Sequence, residues 1–231
     1  MNDLLRGAAQ AVRLLFSGDP ELYAIILRTL SISLGATLVA MLIGVPLGYG
    51  LARGRFPGRT LLLGAVNTGM GIPPVVVGLM VWLLLTRSGP LGGLGLIYTK
   101  QAMLLAQVVI ATPLVVGFTA ASIQALPPQL PDLLTSLGAG RLRRLWILSG
   151  EARLGFLAAV MAAFGAIVSE VGASMAVGGN LRGSTRVLTT AIVTETGRGN
   201  VPVALALGMM LLALSFMVNL VLTVVQQRRR S

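Results

Sequence analysis

The sequence predicts an all-α integral membrane protein with about five transmembrane helices. Of its 231 residues, 55% are hydrophobic and 11% are charged, and the mean hydropathy is +0.87. Soluble domains contain about 25% charged residues, so this composition is typical of a chain embedded in a membrane. The charged residues are also clustered, and four long stretches between the clusters contain none. Each stretch exceeds the roughly 20 residues that a helix needs to cross a bilayer.

The positions of the charges define the predicted spans. The four uncharged runs contain 24, 27, 31 and 29 residues. A fifth run is small and apolar apart from one acidic residue, Glu170. Gly and Pro within the runs favour close helix contacts and kinks, because neighbouring helices satisfy the freed backbone groups. We predict a single membrane domain over residues 1–231, with spans within 29–52, 60–86, 101–131, 154–181 and 199–227.

The basic residues predict how the spans are oriented. Loops on one side of the predicted bundle contain ten Arg, and the opposite loops contain five Lys or Arg. Positively charged loops stay in the cytoplasm, so the first set is predicted to be cytoplasmic. Five spans then place the N-terminus outside and the C-terminus inside. The cytoplasmic set is Arg53, Arg55, Arg59, Arg141, Arg143, Arg144, Arg153, Arg228, Arg229 and Arg230, and the other set is Arg87, Lys100, Arg182, Arg186 and Arg198.

Residues 1–20 precede the first span and contain short apolar stretches. Arg6 and Arg13 interrupt these stretches, so the segment lacks the continuous apolar core of a signal peptide. The two arginines are seven residues apart among apolar neighbours, which favours an amphipathic helix lying on the outer membrane interface. A disordered tail is the alternative.

The residue types of the chain exclude several kinds of chemistry. The sequence contains no Cys and no His, which excludes disulfides, metal sites built from these residues and triads that use imidazole. It contains no GxxxxGK[ST] phosphate loop. We therefore predict no catalytic residue, metal or cofactor in this chain. The basic residues that give the net charge of +11 cluster between apolar spans rather than on one soluble face. This distribution argues against nucleic acid as a partner.

The segment 126–153 is a polar interruption between two apolar spans. Three prolines near its start prevent the preceding span from continuing, and Asp132 is placed to cap a new helix. Gly138 allows a sharp turn. Apolar residues then recur at helical spacing beside arginines, which predicts a short helical hairpin with an apolar surface and a basic rim. Such a surface is typical of a protein partner site, and contact with anionic lipid is the alternative.

This segment resembles the cytoplasmic EAA loop of permeases in ATP-binding-cassette (ABC) importers. In that loop an acidic residue precedes a Gly by six positions, as Asp132 precedes Gly138. The triplet Leu137-Gly138-Ala139 also resembles the common LGA of the loop. Asp-Leu-Leu stands in place of the usual Glu-Ala-Ala, and Leu-Ser-Gly-Glu in place of Ile-x-Leu-Pro, which points to a subfamily.

Four further stretches resemble the tungstate-importer permeases, which are relatives of the molybdate and sulfate permeases. The pair SEVGASMAVGGN and TRVLTTAI carries the most specific part of this resemblance. It implies tungstate as the substrate, and molybdate or a broader range of oxyanions as the alternative. The four stretches are 17–22 (SGDPEL), 72–79 (IPPVVVGL), 169–180 (SEVGASMAVGGN) and 185–192 (TRVLTTAI).

The resemblance implies a type I importer permease in the inner membrane, surrounded by lipid. It implies a homodimer around one path, two copies of a separate ATPase that binds ATP and Mg, and an external substrate-binding protein. ATP would close the ATPase pair, move the cytoplasmic loop and open the path outward, and hydrolysis would reset it. The residues implied in coupling to the ATPase are Asp132, Leu133, Leu137, Gly138, Ala139 and Trp146.

Glu170 is the main candidate for a residue of the translocation path. A carboxylate at the bilayer centre costs about 2.5–3.5 kcal/mol, so Glu170 is predicted to face the bundle interior or water. It would repel an oxyanion, which favours a structural or gating role, paired with Arg182, Arg186 or helix N-termini, over proton coupling. Met70 beside two glycines suits a flexible gate. The predicted path or gate residues are Met70, Pro73, Pro74, Glu170, Asn180 and Thr189.

The stretch 178–186 offers groups that bind a tetrahedral dianion. Its glycines expose backbone amides, and it also contains hydroxyl and guanidinium groups. We favour docking of the binding protein over substrate contact, which leaves selection to the binding protein. Lipid phosphate is a third partner for the arginines. The predicted residues of this outer mouth or docking site are Arg182, Ser184, Thr185 and Arg186.

Two other classes of protein fit the sequence less well. A proton-coupled secondary transporter would use intramembrane acids and usually more spans or an internal repeat. The sequence shows no repeat and no second deeply placed acid. An intramembrane hydrolase would need a nucleophile and a base, and Ser169-Glu170 lacks a His or a paired Lys.

Overall fold

The computed structural model describes residues 9, 10, 13 and 18–228, so the predicted interfacial helix of residues 1–20 lies largely outside the described residues. The described residues form helices joined by turns and contain no strand, as predicted for an all-α protein. In chain order the helices are α1 (Pro20–Arg53), α2 (Arg59–Gly71), α3 (Pro74–Leu85), α4 (Lys100–Gln124), α5 (Leu130–Ser136), α6 (Arg141–Glu151), α7 (Arg153–Val168), α8 (Gly172–Gly178), α9 (Leu188–Gly197) and α10 (Val201–Arg228), with a short 3₁₀ turn at Gly92–Leu94.

Three of the described helices, α1, α4 and α10, are each long and apolar enough to cross a membrane alone. Two bent pairs pass the same test together. The axes of α2 and α3 differ by 102°, and those of α6 and α7 by 67°. Counting each bent pair as one span gives five spans, which is the predicted number.

The prolines of the span 60–86 do not kink one helix, as predicted, but separate two helices at a corner. α2 ends at Gly71, and Ile72 and Pro73 have extended backbone angles. A residue that precedes Pro is disfavoured in the helical region, so Ile72 cannot continue α2. Pro74 then starts α3 at a position where its missing N–H breaks no helical hydrogen bond. The prolines therefore end one helix and start another rather than kink a single one.

The run 154–181 is divided in a similar way. α7 ends at Val168, three residues follow, and the seven-residue α8 starts at Gly172. The only acidic residue of this run, Glu170, lies in the break. An acidic side chain in an apolar run thus marks the point where the helix stops.

α1 and α4 pack side by side at the centre of the bundle. A Cβ added to Gly44 would lie 2.7 Å from Cγ1 of Val115, and one added to Gly48 would lie 2.6 Å from Cβ of Thr119. Glycines four residues apart lie on one helix face and let two backbones approach closely. Because the contacts advance in the same order along both helices, α1 and α4 run in the same direction.

Gly48→Ala is expected to lower the free energy of unfolding by about 1–3 kcal/mol, because the new methyl group overpacks the α1–α4 contact. The matched control is Gly50→Ala on the same helix, where an added Cβ has no atom within 4 Å. This control should keep or slightly raise stability, since Ala is the better helix former. Thermal unfolding in mild detergent measures both variants. Equal stability of the two would contradict this packing.

The bundle has two chemically different ends. α1 contains 34 residues, which corresponds to about 50 Å at 1.5 Å per residue. The first turn of α1 contacts the segment 178–198, and we call this the loop end. The last turn of α1 lines a common cleft with α5 and α6, and we call this the hairpin end. The predicted topology likewise places the start of the first span and the 126–153 segment on opposite sides.

Candidate coupling surface and translocation path

The polar hairpin consists of α5, α6 and the turn between them. Gly138 has a φ of +76°, a left-handed conformation that Gly adopts without strain. The amide of Ala139 donates to the carbonyl of Leu134 at 2.9 Å, and that of Gly138 to Thr135 at 2.9 Å. These bonds close the end of α5. The structure therefore has its turn at the glycine where the sequence predicts it.

Asp132 does not cap α5, so the predicted capping role is wrong. The helix already begins at Leu130, and its N-cap is Gln129, whose side chain makes no capping bond. Pro131 lies in the first turn, where Pro is favoured, and this shifts the helix start ahead of Asp132. The carboxylate of Asp132 is exposed in the first turn, where a negative charge is favourable.

Three predicted coupling residues present apolar side chains to the outside of the hairpin. Leu133 is 56% exposed, Leu137 74% and Trp146 83%. By contrast, Leu134 and Leu148 are buried. Leu134 therefore does not share the outer surface of Leu133 and Leu137. Gly138 is exposed and Ala139 is half-buried beside them. Exposed apolar groups at a polar bundle end are typical of a partner site.

Glu170 accepts a hydrogen bond at the start of α8. Its Oε1 lies 2.9 Å from the amide nitrogen of Ala173, and its carbonyl accepts from Oγ1 of Thr189 at 3.0 Å. The positive end of the helix dipole favours a carboxylate at this point. The sequence predicts Arg182, Arg186 or a helix N-terminus as the partner of Glu170, and in the structure the partner is the N-terminus of α8. Arg182 and Arg186 make their side-chain bonds elsewhere.

A narrow polar cavity adjoins Glu170 in the middle of the bundle, and it has no room for a water molecule. Gln107 is 4% exposed, and its amide nitrogen lies 3.5 Å from Oγ of Ser174. Its Oε1 has no donor among the described residues. Gln107 lines this cavity beside two of the predicted path residues, Glu170 and Thr189, and a polar amide in an uncharged run is its signal in the sequence. The polar lining residues are Thr29, Ser33, Gln107, Glu170 and Thr189.

The other predicted gate residues lie on the corner between α2 and α3. A Cβ added to Gly117 of α4 would lie 2.6 Å from Sδ of Met70, so Met70 packs on α4. Pro73 is exposed and Pro74 half-buried. The start of α3 also packs on α8, two residues after Glu170, because a Cβ on Gly172 would lie 2.3 Å from Val75. The corner and the break at Glu170 are thus neighbours, although Met70 does not line the cavity.

Asn180 and Thr185 hold the loop end together. Asn180 has a φ of +50°, and its amide nitrogen donates to Oγ1 of Thr194 at 2.6 Å. Its Oδ1 accepts from Nε of Arg186 at 3.3 Å. Thr185 is fully buried and its hydroxyl accepts from the amide of Leu181 at 2.9 Å. A buried hydroxyl does not suit the predicted docking role of Thr185, whereas Ser184 beside it is exposed.

Arg182 joins the loop end to the start of α1. Its Nε lies 2.6 Å and 2.8 Å from the two carboxylate oxygens of Glu21. This hydrogen bond, and then the charge of Glu21, raises the pKa of the Arg182 guanidinium. Arg28 of α1 is buried, and its Nη1 donates to the carbonyl of Arg186 at 3.0 Å. Burial of an arginine at a bundle contact satisfies its donors with protein rather than with lipid.

A helical membrane bundle with a broken span, a buried polar cavity and an exposed apolar hairpin defines the membrane subunit of a transport system. The sequence model of the family described as "Binding-protein-dependent transport system inner membrane component" matches residues 44–231. The chain belongs to this family.

Curated relatives agree with the resemblance expected from the sequence. The chain is 36% identical to the tungstate uptake system permease protein TupB of Peptoclostridium acidaminophilum, over 98% of the chain and 100% of the relative. It is 39% identical to a probable anion ABC transporter permease protein of Haloferax volcanii, over 83% of the chain and 84% of the relative. It is 29% identical to the molybdenum transport system permease protein ModB of Escherichia coli, over 76% and 80%.

Two solved structures with the same fold come from ABC transporters. A chain from inward-facing crystals of the MetNI methionine ABC transporter superposes with a TM-score of 0.73 at 19% identity, covering 90% of this chain and 95% of that one. A chain of an amino acid ABC transporter superposes with a TM-score of 0.67 at 16% identity, covering 93% of this chain and 96% of that one. The predicted type I importer permease fold is confirmed.

Proposed function

We propose that this chain is the permease subunit of an ABC importer that takes up tungstate from a substrate-binding protein. The observation that carries the proposal is the match of the whole chain to a tungstate permease at 36% identity. A second tungstate permease, from Campylobacter jejuni, is 34% identical over 93% of the chain, whereas the molybdenum permease of Escherichia coli is 29% identical over 76%. Uptake of molybdate, or of a wider range of oxyanions, is the alternative.

The proposal includes a homodimer around a central path. α2 has no buried residue in the single chain, and its Asn67 and Thr68 are both exposed. A polar amide is unfavourable against lipid and usually faces protein or a water-filled path. A second copy of the chain would place this face of α2 in the interior of the complex.

The hairpin end would face the cytoplasm and bind one of two ATPase subunits. Asp132, Leu133, Leu137 and Trp146 would form the contact, with Gly138 and Ala139 shaping the turn. α7 follows the hairpin directly and ends two residues before Glu170. A movement of the hairpin would therefore be carried by one rigid helix to the break and its cavity. ATP and Mg would act on the ATPase, whose closure opens the path outward.

The loop end would face outward and bind the substrate-binding protein. Arg182, Ser184 and Arg186 lie at this end, and Arg182 is largely exposed beyond its bond to Glu21. Guanidinium groups suit acidic residues on a partner surface. In this arrangement the binding protein, rather than the permease, selects the substrate.

Reconstitution of the chain with the ATPase and the binding protein tests this function. Tungstate-loaded binding protein is expected to stimulate ATP turnover more than the molybdate-loaded form does. Equal or greater stimulation by molybdate would favour the alternative substrate. Uptake of tungstate by the purified chain alone would overturn the importer mechanism and favour a secondary transporter.

A further inference from the structure

A cleft of about 310 Å³ lies at the hairpin end, between the last turn of α1 and the polar hairpin. At about 30 Å³ per water molecule, it is large enough for about ten waters or for a small polar group of similar size. The cleft lies between two elements that are far apart in the sequence. Its lining residues are Tyr49, Arg53, Pro131, Arg144, Leu145 and Leu148.

Among the described residues, the cleft is lined by two arginines, Arg53 and Arg144, and by no acidic residue. Both Nε and Nη2 of Arg53 are buried and have no acceptor among the described residues. Leaving such charged donors buried and unpaired is costly, so an acceptor from outside the chain is expected there. Arg144 provides the second guanidinium, and its Nη1 lies 2.7 Å from Oγ1 of Thr135 in the hairpin.

The chemistry of the cleft fits a phosphate group. Guanidinium groups present planar pairs of N–H donors that match phosphate oxygens, and the hydroxyl of Tyr49 is a further donor. The remaining walls, Leu145, Leu148 and Pro131, are apolar and suit the carbon atoms next to a lipid phosphate. The cleft also lies at the end of α1, a helix long and apolar enough to span a membrane. Because the hydrocarbon core is about 30 Å thick, the end of a 34-residue helix extends into the headgroup region.

We propose that Arg53 and Arg144 form a binding site for a phosphate group, supplied by a phospholipid headgroup or by free phosphate. The ligand bridges the end of α1 and helix α6, so it holds the polar hairpin against the bundle. This site is separate from the translocation path and does not depend on which oxyanion the protein carries.

Lipid binding by the full-length chain in mild detergent tests the site. The probes are phosphatidylglycerol, dioleoylglycerol, which lacks the phosphate, and inorganic phosphate, with bound lipid counted by native mass spectrometry and stability followed by thermal unfolding. Wild-type protein should retain phosphatidylglycerol and not dioleoylglycerol. R53Q and R144Q should each bind about tenfold more weakly or worse, because each removes charge-assisted hydrogen bonds.

The matched control is R143Q, because Arg143 is exposed on the same helix and does not line the cleft. It should stay within about twofold of wild type, since a single exposed charge contributes little. R53K keeps the charge and should retain much of the binding, which guards against a folding defect in R53Q. Stabilisation by inorganic phosphate that R53Q and R144Q abolish would identify a free anion, and retention of phosphatidylglycerol alone would identify a lipid.

Three results would overturn the site. They are wild-type affinity in both R53Q and R144Q, an equal loss in R143Q, and equal retention of dioleoylglycerol and phosphatidylglycerol. Because no transport is measured, these results do not depend on the proposed uptake of tungstate.

Discussion

Replacing Leu137 and Trp146 together with Ala should abolish tungstate uptake while leaving the chain folded. The two side chains are 74% and 83% exposed, so their truncation removes few contacts within the chain. Buried apolar anchors at a protein interface typically contribute about 2 kcal/mol or more, and each loss would weaken binding of the ATPase about 30-fold or more. Copurification of the ATPase and uptake by reconstituted vesicles measure the two effects.

The control for this experiment replaces exposed leucines away from the hairpin. Leu91 and Leu94, between α3 and α4, are 42% and 61% exposed. Their double replacement with Ala should leave retention of the ATPase unchanged. If the variant with alanines at Leu137 and Trp146 retained the ATPase as well as this control, the hairpin would not be the coupling surface.

Glu170→Gln is expected to impair folding or gating, to reduce uptake about tenfold or more and to leave binding of the substrate-binding protein intact. The change replaces a carboxylate that accepts from the amide of Ala173 with a neutral group, and hydrogen bonds to charged groups contribute about 1.5–3 kcal/mol. The start of α8 and the adjoining cavity would lose their fixed geometry. The binding protein would still dock, because Arg182 bonds to Glu21 rather than to Glu170.

Thermal unfolding and uptake by the same preparation separate the two consequences of this change. Glu195→Gln is the control, since Glu195 is a half-buried carboxylate away from the cavity that pairs with Arg198, and its change should lower stability by no more than about 1 kcal/mol. Normal uptake by Glu170→Gln would exclude the structural or gating role of this carboxylate.

The number of spans could be predicted because charged residues are excluded from the bilayer core. The breaks and bends within each span could not be predicted, because they depend on local backbone preferences that hydropathy does not report. The tandem prolines at 73 and 74 are one case, where a helix end and a helix start together make a corner of 102°. Asp132 is another, because the position of Pro131 in the first turn decides where α5 begins.

The candidate sites were predictable where one short segment contains them. The hairpin and its turn at Gly138 depend on residues that are neighbours in the sequence, so the local sequence predicts them. Arg28 bonds to Arg186, and Arg53 lines the same cleft as Arg144. The members of these pairs are about 90 to 160 positions apart in the sequence. Such pairings depend on how the helices pack, so a single sequence does not show which arginines are buried and which face lipid.

Site-specific crosslinking of the polar hairpin tests the central claim most directly. The chain contains no cysteine, so Leu137→Cys introduces a single reactive thiol in a protein that needs no further change. In the reconstituted complex, this thiol should crosslink to the ATPase, with a yield that changes when ATP is added, whereas Leu91→Cys should not crosslink. If Leu137→Cys failed to reach the ATPase while the complex still imported tungstate, force would not enter the permease through this hairpin.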